Sequence, residues 1–124
     1  MKVIKSKEEI FHFTDNDLLR VYSFLANANQ AFRISKFIKN LDYLDLFFYI
    51  YANNSILKKD VQFKDLSIYS SKSDVYLTKF LKDGKESGYL TYQISDKDRR
   101  IKKYEITEKA EAFLYKLNNF KKIS

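Results

Sequence analysis

Apolar positions recur every three or four residues through most of the chain, and every two residues between Gly88 and Thr107. Thr14-Asp15-Asn16-Asp17 has the form of a helix start, a polar cap with an acid three residues on. Leu18, Val21, Tyr22, Leu25 and Phe32 follow at helical spacing and predict a first helix to about Phe32. Asp42-Tyr43-Leu44-Asp45 is a second start, with Tyr43, Phe47, Ile50 and Tyr51 on its apolar face and Asn53-Asn54 at its end. Val61-Gln62-Phe63 alternates and predicts a short strand. Lys64–Tyr69 reads as a short helix with Leu66, Ile68 and Tyr69 inward. Ser71 and Asp74 form a candidate capping pair for a helix over about Ser73–Ser87, with Val75, Leu77, Thr78 and Leu81 as candidates for burial. Gly84 within it costs ~1 kcal/mol relative to Ala, so it marks either a close-packing point or a weak stretch near the helix end. Gly88 suits the C-terminal cap.

Leu90, Tyr92 and Ile94 then alternate with Thr91 and Gln93, and Tyr104 and Ile106 alternate with Lys103 and Glu105. Between them Ser95–Arg100 is wholly polar. This predicts a β-hairpin with a long charged tip. Thr107 caps a last helix whose apolar stripe is Ala110, Phe113, Leu114, Leu117 and Phe120. The expected order is helix, helix, short strand, helix, helix, hairpin, helix. A helix–turn–helix followed at once by a two-stranded hairpin is the winged-helix arrangement. The expected class is therefore α+β, mainly helical, with one domain over residues 1–124 and no linker or repeat.

Composition narrows what such a domain does. The 124 residues include one His, no Cys and no Pro. A disulfide scaffold, a thiolate nucleophile and a Cys-ligated metal are excluded. His12, between Phe11 and Phe13, cannot by itself form a metal cluster or a serine triad. No phosphate-binding loop, dinucleotide fingerprint or zinc-protease motif is present. No enzyme chemistry and no cofactor is indicated. No apolar run reaches the ~18 residues needed to span a membrane, and Met1–Glu9 lacks the form of a signal peptide. A cytoplasmic location is expected.

Charge changes the picture more. Residues 1–53 hold 7 Lys/Arg against 6 Asp/Glu, whereas residues 54–124 hold 16 against 10. The positive field belongs to the half that contains the predicted helix–turn–helix and hairpin, and it suggests a polyanionic partner. In a helix–turn–helix the start of the second helix meets base edges in the major groove. Here that helix offers Ser71, Lys72, Ser73, Asp74 and Tyr76, with Lys79 and Lys82 further along. The hairpin tip offers Lys97, Asp98, Arg99 and Arg100, followed by Lys102. Asp96 and Asp98 suit a role in pairing with Arg99 or Arg100 and shaping the loop. Leu18, Tyr22 and Leu25 in the first helix, with Phe113, Leu117 and Phe120 in the last, give apolar stripes wide enough to serve a homodimer.

Phe63-Lys64-Asp65-Leu66, Tyr89-Leu90 and Asp98-Arg99-Arg100 resemble, in gapless spacing, the SarA family, a branch of the MarR-type winged-helix regulators. The similarity spans roughly residues 47–107. Arg99 stands where that family usually has Glu, and Ile94 where a basic residue would help the wing strand contact DNA. The resemblance implies a dimeric regulator of virulence-type genes that binds AT-rich promoter DNA through a recognition helix and a wing, and dimerises through its terminal helices. It implies that Arg100 enters the minor groove, with Asp98 as its orienting partner. Relatives of the MarR type often bind small phenolic effectors, although no residue here names one. The alternative is a winged-helix interaction protein, of a phage or plasmid kind, that binds a protein partner rather than DNA.

Overall fold

The computed structural model describes residues 14–123, with side chains described through Leu117. His12, Met1–Glu9 and the side chain of Phe120 lie outside the described residues. The elements are α1 (Asp15–Ile34), α2 (Leu41–Tyr51), α3 (Phe63–Tyr69), α4 (Asp74–Ser87), β1 (Leu90–Ile94), β2 (Lys102–Ile106) and α5 (Glu108–Ile123). The order is a winged helix–turn–helix with a helix at either end.

Local chemistry accounts for the boundaries. Thr14 and Asp17 form the expected capping box at the start of α1. The start of α2 differs from expectation. Asn40, rather than Asp42, is its cap, accepting from the Tyr43 N–H at 2.9 Å, while Asp42 lies in the first turn. At the other end, Asn53-Asn54 does not stop the chain. The backbone continues into a wide π-type turn over Ala52–Ile56, and Asn54 Oδ1 accepts from the Ile106 N–H at 3.3 Å.

Val61 forms an isolated bridge to Tyr104 rather than a strand through Phe63. Phe63 already belongs to α3, because Asp65 accepts from the Gln62 N–H at 2.8 Å and turns the chain into a helix. Ser73, not Ser71, caps α4 by accepting from the Tyr76 N–H at 3.2 Å. β1 and β2 pair antiparallel from Leu90 opposite Ile106 to Ile94 opposite Lys102. Thr107 accepts from the Ala110 N–H and donates to the Gly88 carbonyl, which ties the start of α5 to the end of α4.

The core is aromatic. α2 passes through it with Tyr43, Leu44, Leu46, Phe47 and Ile50 all buried. Phe37 sits 5.3–5.5 Å, centre to centre, from Tyr43, Phe80 and Tyr89, and Phe113 meets Phe47 and Tyr89 at 5.8 and 5.6 Å. Such tilted pairs contribute about 0.5–1.5 kcal/mol each beyond the area they bury.

α4 faces this core with Leu77, Phe80, Leu81 and Gly84. Gly84 is a close-packing point: a Cβ there would lie 2.4 Å from Leu90 Cδ1. Gly88 takes φ +84°, the left-handed conformation of a helix C-terminus. Two burial expectations for α4 fail, since Val75 is 81% exposed and Thr78 is also exposed. Val75 falls on the side opposite the buried arc and Thr78 on its flank, because residues 77, 80, 81 and 84 already define the core-facing stripe. In α3 Leu66 is buried and Phe63 packs, partly buried, against the core. Ile68 is 84% exposed, and the half-exposed Tyr69 stacks on Tyr49 and donates to Asp45.

Candidate nucleic-acid interface

The helix–turn–helix is locked by short-range polar contacts. Ser70 Oγ accepts from the Lys72 N–H at 3.1 Å, and Ser67 Oγ donates to Asp74 Oδ1 at 3.3 Å across the turn. Leu66 of α3 and Leu77 and Leu81 of α4 are buried beneath the turn. The start of α4 is therefore held at a fixed angle to α3, with Ser71, Ser73, Asp74, Val75, Thr78, Lys79 and Lys82 exposed.

Three expected contact residues of this region make contacts within the chain. Lys72 Nζ lies 3.1 Å from Asp42 of α2 and over the Tyr76 ring at 5.2 Å. Tyr76 is half-buried and meets Tyr43 edge-on at 5.9 Å. Lys79 pairs with Asp83 at 3.2 Å. The same Asp83 oxygen accepts from the Tyr43 hydroxyl at 2.6 Å, and Lys39 approaches it at 3.9 Å. The Tyr43 hydrogen bond, aided by Lys79 and Lys39, holds the Asp83 carboxyl below the usual carboxylate range. Burial, with Asp83 beside it, pushes the Tyr43 phenol well above its ordinary value. Asp83 thus fastens α4 to α2 and takes up part of the Lys79 charge. Lys82 has no carboxylate within ion-pair reach among the described residues.

At the wing tip, Arg100 donates from Nε and Nη2 to the two oxygens of Asp98 at 3.1 and 3.0 Å, and its backbone N–H donates to the same carboxylate at 3.0 Å. These bonds, the side-chain pair foremost, lower the Asp98 carboxyl below its ordinary value and raise the Arg100 guanidinium. The loop is closed by Ser95 N–H to the Ile101 carbonyl at 2.9 Å and Ile101 N–H to the Asp98 carbonyl at 3.0 Å. Asp98, rather than Asp96, pairs with an arginine. Lys97 and Arg99 are exposed, and neither forms an ion pair among the described residues.

α4 and the wing share a cleft of about 240 Å³, lined by Thr78, Lys82, Lys85, Tyr92 and Lys102 among others. The ammonium groups of Lys85 and Lys102 lie 4.4 and 4.6 Å from the Tyr92 ring centre. Lys85 escaped the sequence reading. The signal was available, since Lys85 follows Lys82 by three residues on the exposed arc of α4.

The terminal helices form a different surface. α1 buries only Ala28 and Ala31 among its residues, while Leu18, Leu19, Val21, Tyr22, Phe24 and Leu25 are exposed, Tyr22 at 70%. An apolar groove of about 820 Å³ runs between α1, α2 and α5, with Phe24, Leu41, Phe48, Tyr51, Leu114 and Leu117 in its walls. Phe113 faces the other way and belongs to the core of the single chain. Leu117 is partly buried against that core.

No family model matches the chain, and no curated protein matches it in sequence. Solved structures do match. The S. aureus MepR–DNA complex superposes with a TM-score of 0.64 at 12% identity, over 81% of this chain and 70% of that one. The transcriptional regulator Tm0710 from Thermotoga maritima gives 0.66 at 22% identity, over 85% and 70%. MarR gives 0.55 at 12% identity, over 88% and 79%. The fold is a winged helix of the MarR type. In this fold α3 and α4 are the helix–turn–helix and β1–β2 the wing. No helix among the described residues is long and apolar enough to cross a membrane.

Proposed function

We propose that the chain is a homodimeric, sequence-selective DNA-binding transcription regulator of the SarA kind. Each α4 enters a major groove, with the two copies about one helical turn of DNA apart. Each wing places Arg100 in the flanking minor groove. The observation that carries the reading is the shared cleft, where Lys82 and Lys85 of the helix and Lys102 of the wing line one surface. A phosphate backbone running between the two grooves would meet all three. Lys79, Lys97 and Arg99 add charge at either side.

Asp98 supports the role given to Arg100. Its two oxygens hold the guanidinium in one orientation before DNA arrives, so less side-chain entropy is lost on binding. A narrow AT-rich minor groove concentrates negative potential and favours an inserted arginine. Arg99, in the place of the family's usual Glu, strengthens backbone attraction at some expense of selectivity. The uncovered apolar surface of α1 supports a dimer. Six large apolar side chains exposed within its first three turns favour being covered, and a second copy covers them through Leu18, Tyr22 and Leu25.

The test is a fluorescence-anisotropy titration of AT-rich duplexes at two salt concentrations, with sedimentation to count subunits. The reading expects a dimer whose affinity falls steeply with salt, by about 0.9 log unit per log unit of salt for each phosphate neutralised. Affinity that stays in the high-micromolar range at low salt would instead point to a protein partner.

A further inference from the structure

We infer that Val75, with Thr78 one turn on, reads the 5-methyl group of thymine in the major groove; this rests on the DNA-binding reading above. The first ground is what α4 lacks. Asp74–Ser87 contains no Arg, Asn or Gln, the side chains that join guanine or adenine edges most strongly by paired hydrogen bonds. The second is what its polar groups already do. Ser73 caps the helix, Asp74 accepts from Ser67, Lys72 pairs with Asp42, and Lys79 pairs with Asp83. The third is placement. Val75 occupies the first turn, where the second helix of a helix–turn–helix meets base edges, and it stands in the middle of the exposed arc, in line with Thr78 and Lys82.

A thymine edge presents a methyl group and the O4 acceptor to the major groove, a pattern no other base shows. Val75 offers two methyl groups and no polar atom beyond its backbone. Thr78 offers a methyl group and a hydroxyl able to donate to O4. Ile68 extends the apolar surface at the end of α3, where the Ser67–Asp74 hydrogen bond joins the two helices beside it. Lys82 continues the same line into the shared cleft, where a phosphate would lie. Selectivity for AT-rich DNA then comes from methyl contact in the major groove as well as from the shape of the minor groove.

The experiment uses the full-length wild-type protein to select duplexes from a random pool, and then replaces each thymine of the selected duplex by deoxyuridine. That exchange removes one methyl group and leaves pairing and O4 intact. Wild-type affinity is expected to fall about fourfold at one thymine per half-site, the factor for losing one buried methyl-sized group. Val75→Ala is expected to bind the thymine duplex more weakly and to be indifferent to deoxyuridine at that position. Val75→Ile, which keeps the apolar branch, retains the sensitivity. If Val75→Ala loses as much as the wild type at every thymine, the assignment is overturned while DNA binding stands. If the selection enriches no duplex at low salt, the DNA-binding reading falls and takes this one with it.

Discussion

α1 and α4 both expose apolar side chains, but on opposite terms. α1 shows six large ones in its first eleven residues and is held near its other end by the buried Ala28 and Ala31 with the partly buried Phe32 and Ile34. α4 shows only Val75, amid polar and charged neighbours, and its inner face is fixed by Leu77, Phe80, Leu81 and the Asp83–Tyr43 bond. A broad run of exposed apolar side chains suits another apolar surface. A single exposed apolar residue with Lys79 and Lys82 further along the same helix suits a ligand that is anionic at its edges and apolar at one point. On the proposed reading, the same chain carries two recognition surfaces that the mean hydropathy of either helix would not separate.

The largest effect is expected on α1. Leu18→Glu together with Leu25→Glu leaves the single-chain core intact and places charge where the proposed second copy would pack. Sedimentation should show monomers, and DNA affinity should fall about a hundredfold or more, since two linked binding modules gain that order from avidity. A dimer that survives both substitutions would remove the distinction drawn between the helices.

Next comes the anchoring of α4. Gly84→Ala drives a methyl group into Leu90. Overpacking of this kind costs about 1–3 kcal/mol, and the better helix propensity of Ala offsets only ~1 kcal/mol of it. Chemical denaturation should show a net loss, with the dimer retained.

Tyr43→Phe removes the hydroxyl that Asp83 accepts, at about 1–2 kcal/mol near neutral pH. The pH dependence follows from the directions of the two shifts. Asp83 is lowered in the folded chain, so its contribution is complete above about pH 4 and is lost as pH falls through the folded value. Tyr43 is raised, so its contribution is complete below about pH 10 and is lost as pH climbs toward the folded value. The stability gap between wild type and Tyr43→Phe should therefore narrow at both extremes. A gap that stays constant across the range would remove the link between Asp83 and Tyr43.

Lys79→Ala should have the smallest effect. Asp83 already offsets part of the Lys79 charge, so the variant should weaken DNA binding mildly, uniformly across sequences, with a salt slope lower by about 1.

Much of this arrangement was legible before any coordinates. The Thr14–Asp17 box, the change of period after Gly88 and the Thr107 cap place α1, the wing and α5 closely, because each depends on residues near in sequence. The errors of burial have one source. Val75, Thr78, Ile68 and Tyr69 are apolar or small residues on short helices, where one turn of sequence cannot say which arc meets the core. Phe80 and Gly84 decide that for α4, through Phe37, Tyr43 and Leu90, which are distant in sequence. Lys72 and Tyr76 were expected to face outward for the same reason. Their partners, Asp42 and Tyr43, lie about thirty residues earlier. The Asp98–Arg100 pair was legible because its members are two residues apart.

The most direct measurement of the central claim is an anisotropy titration of one AT-rich duplex with wild type and Arg100→Ala at low and moderate salt. The account predicts tight, salt-sensitive binding by the wild type. It predicts a loss of about tenfold in the variant, as for one specific arginine contact, with the melting temperature and dimer unchanged. Equal affinities for the two proteins would contradict the role of the wing, and no binding by either at low salt would contradict the whole assignment.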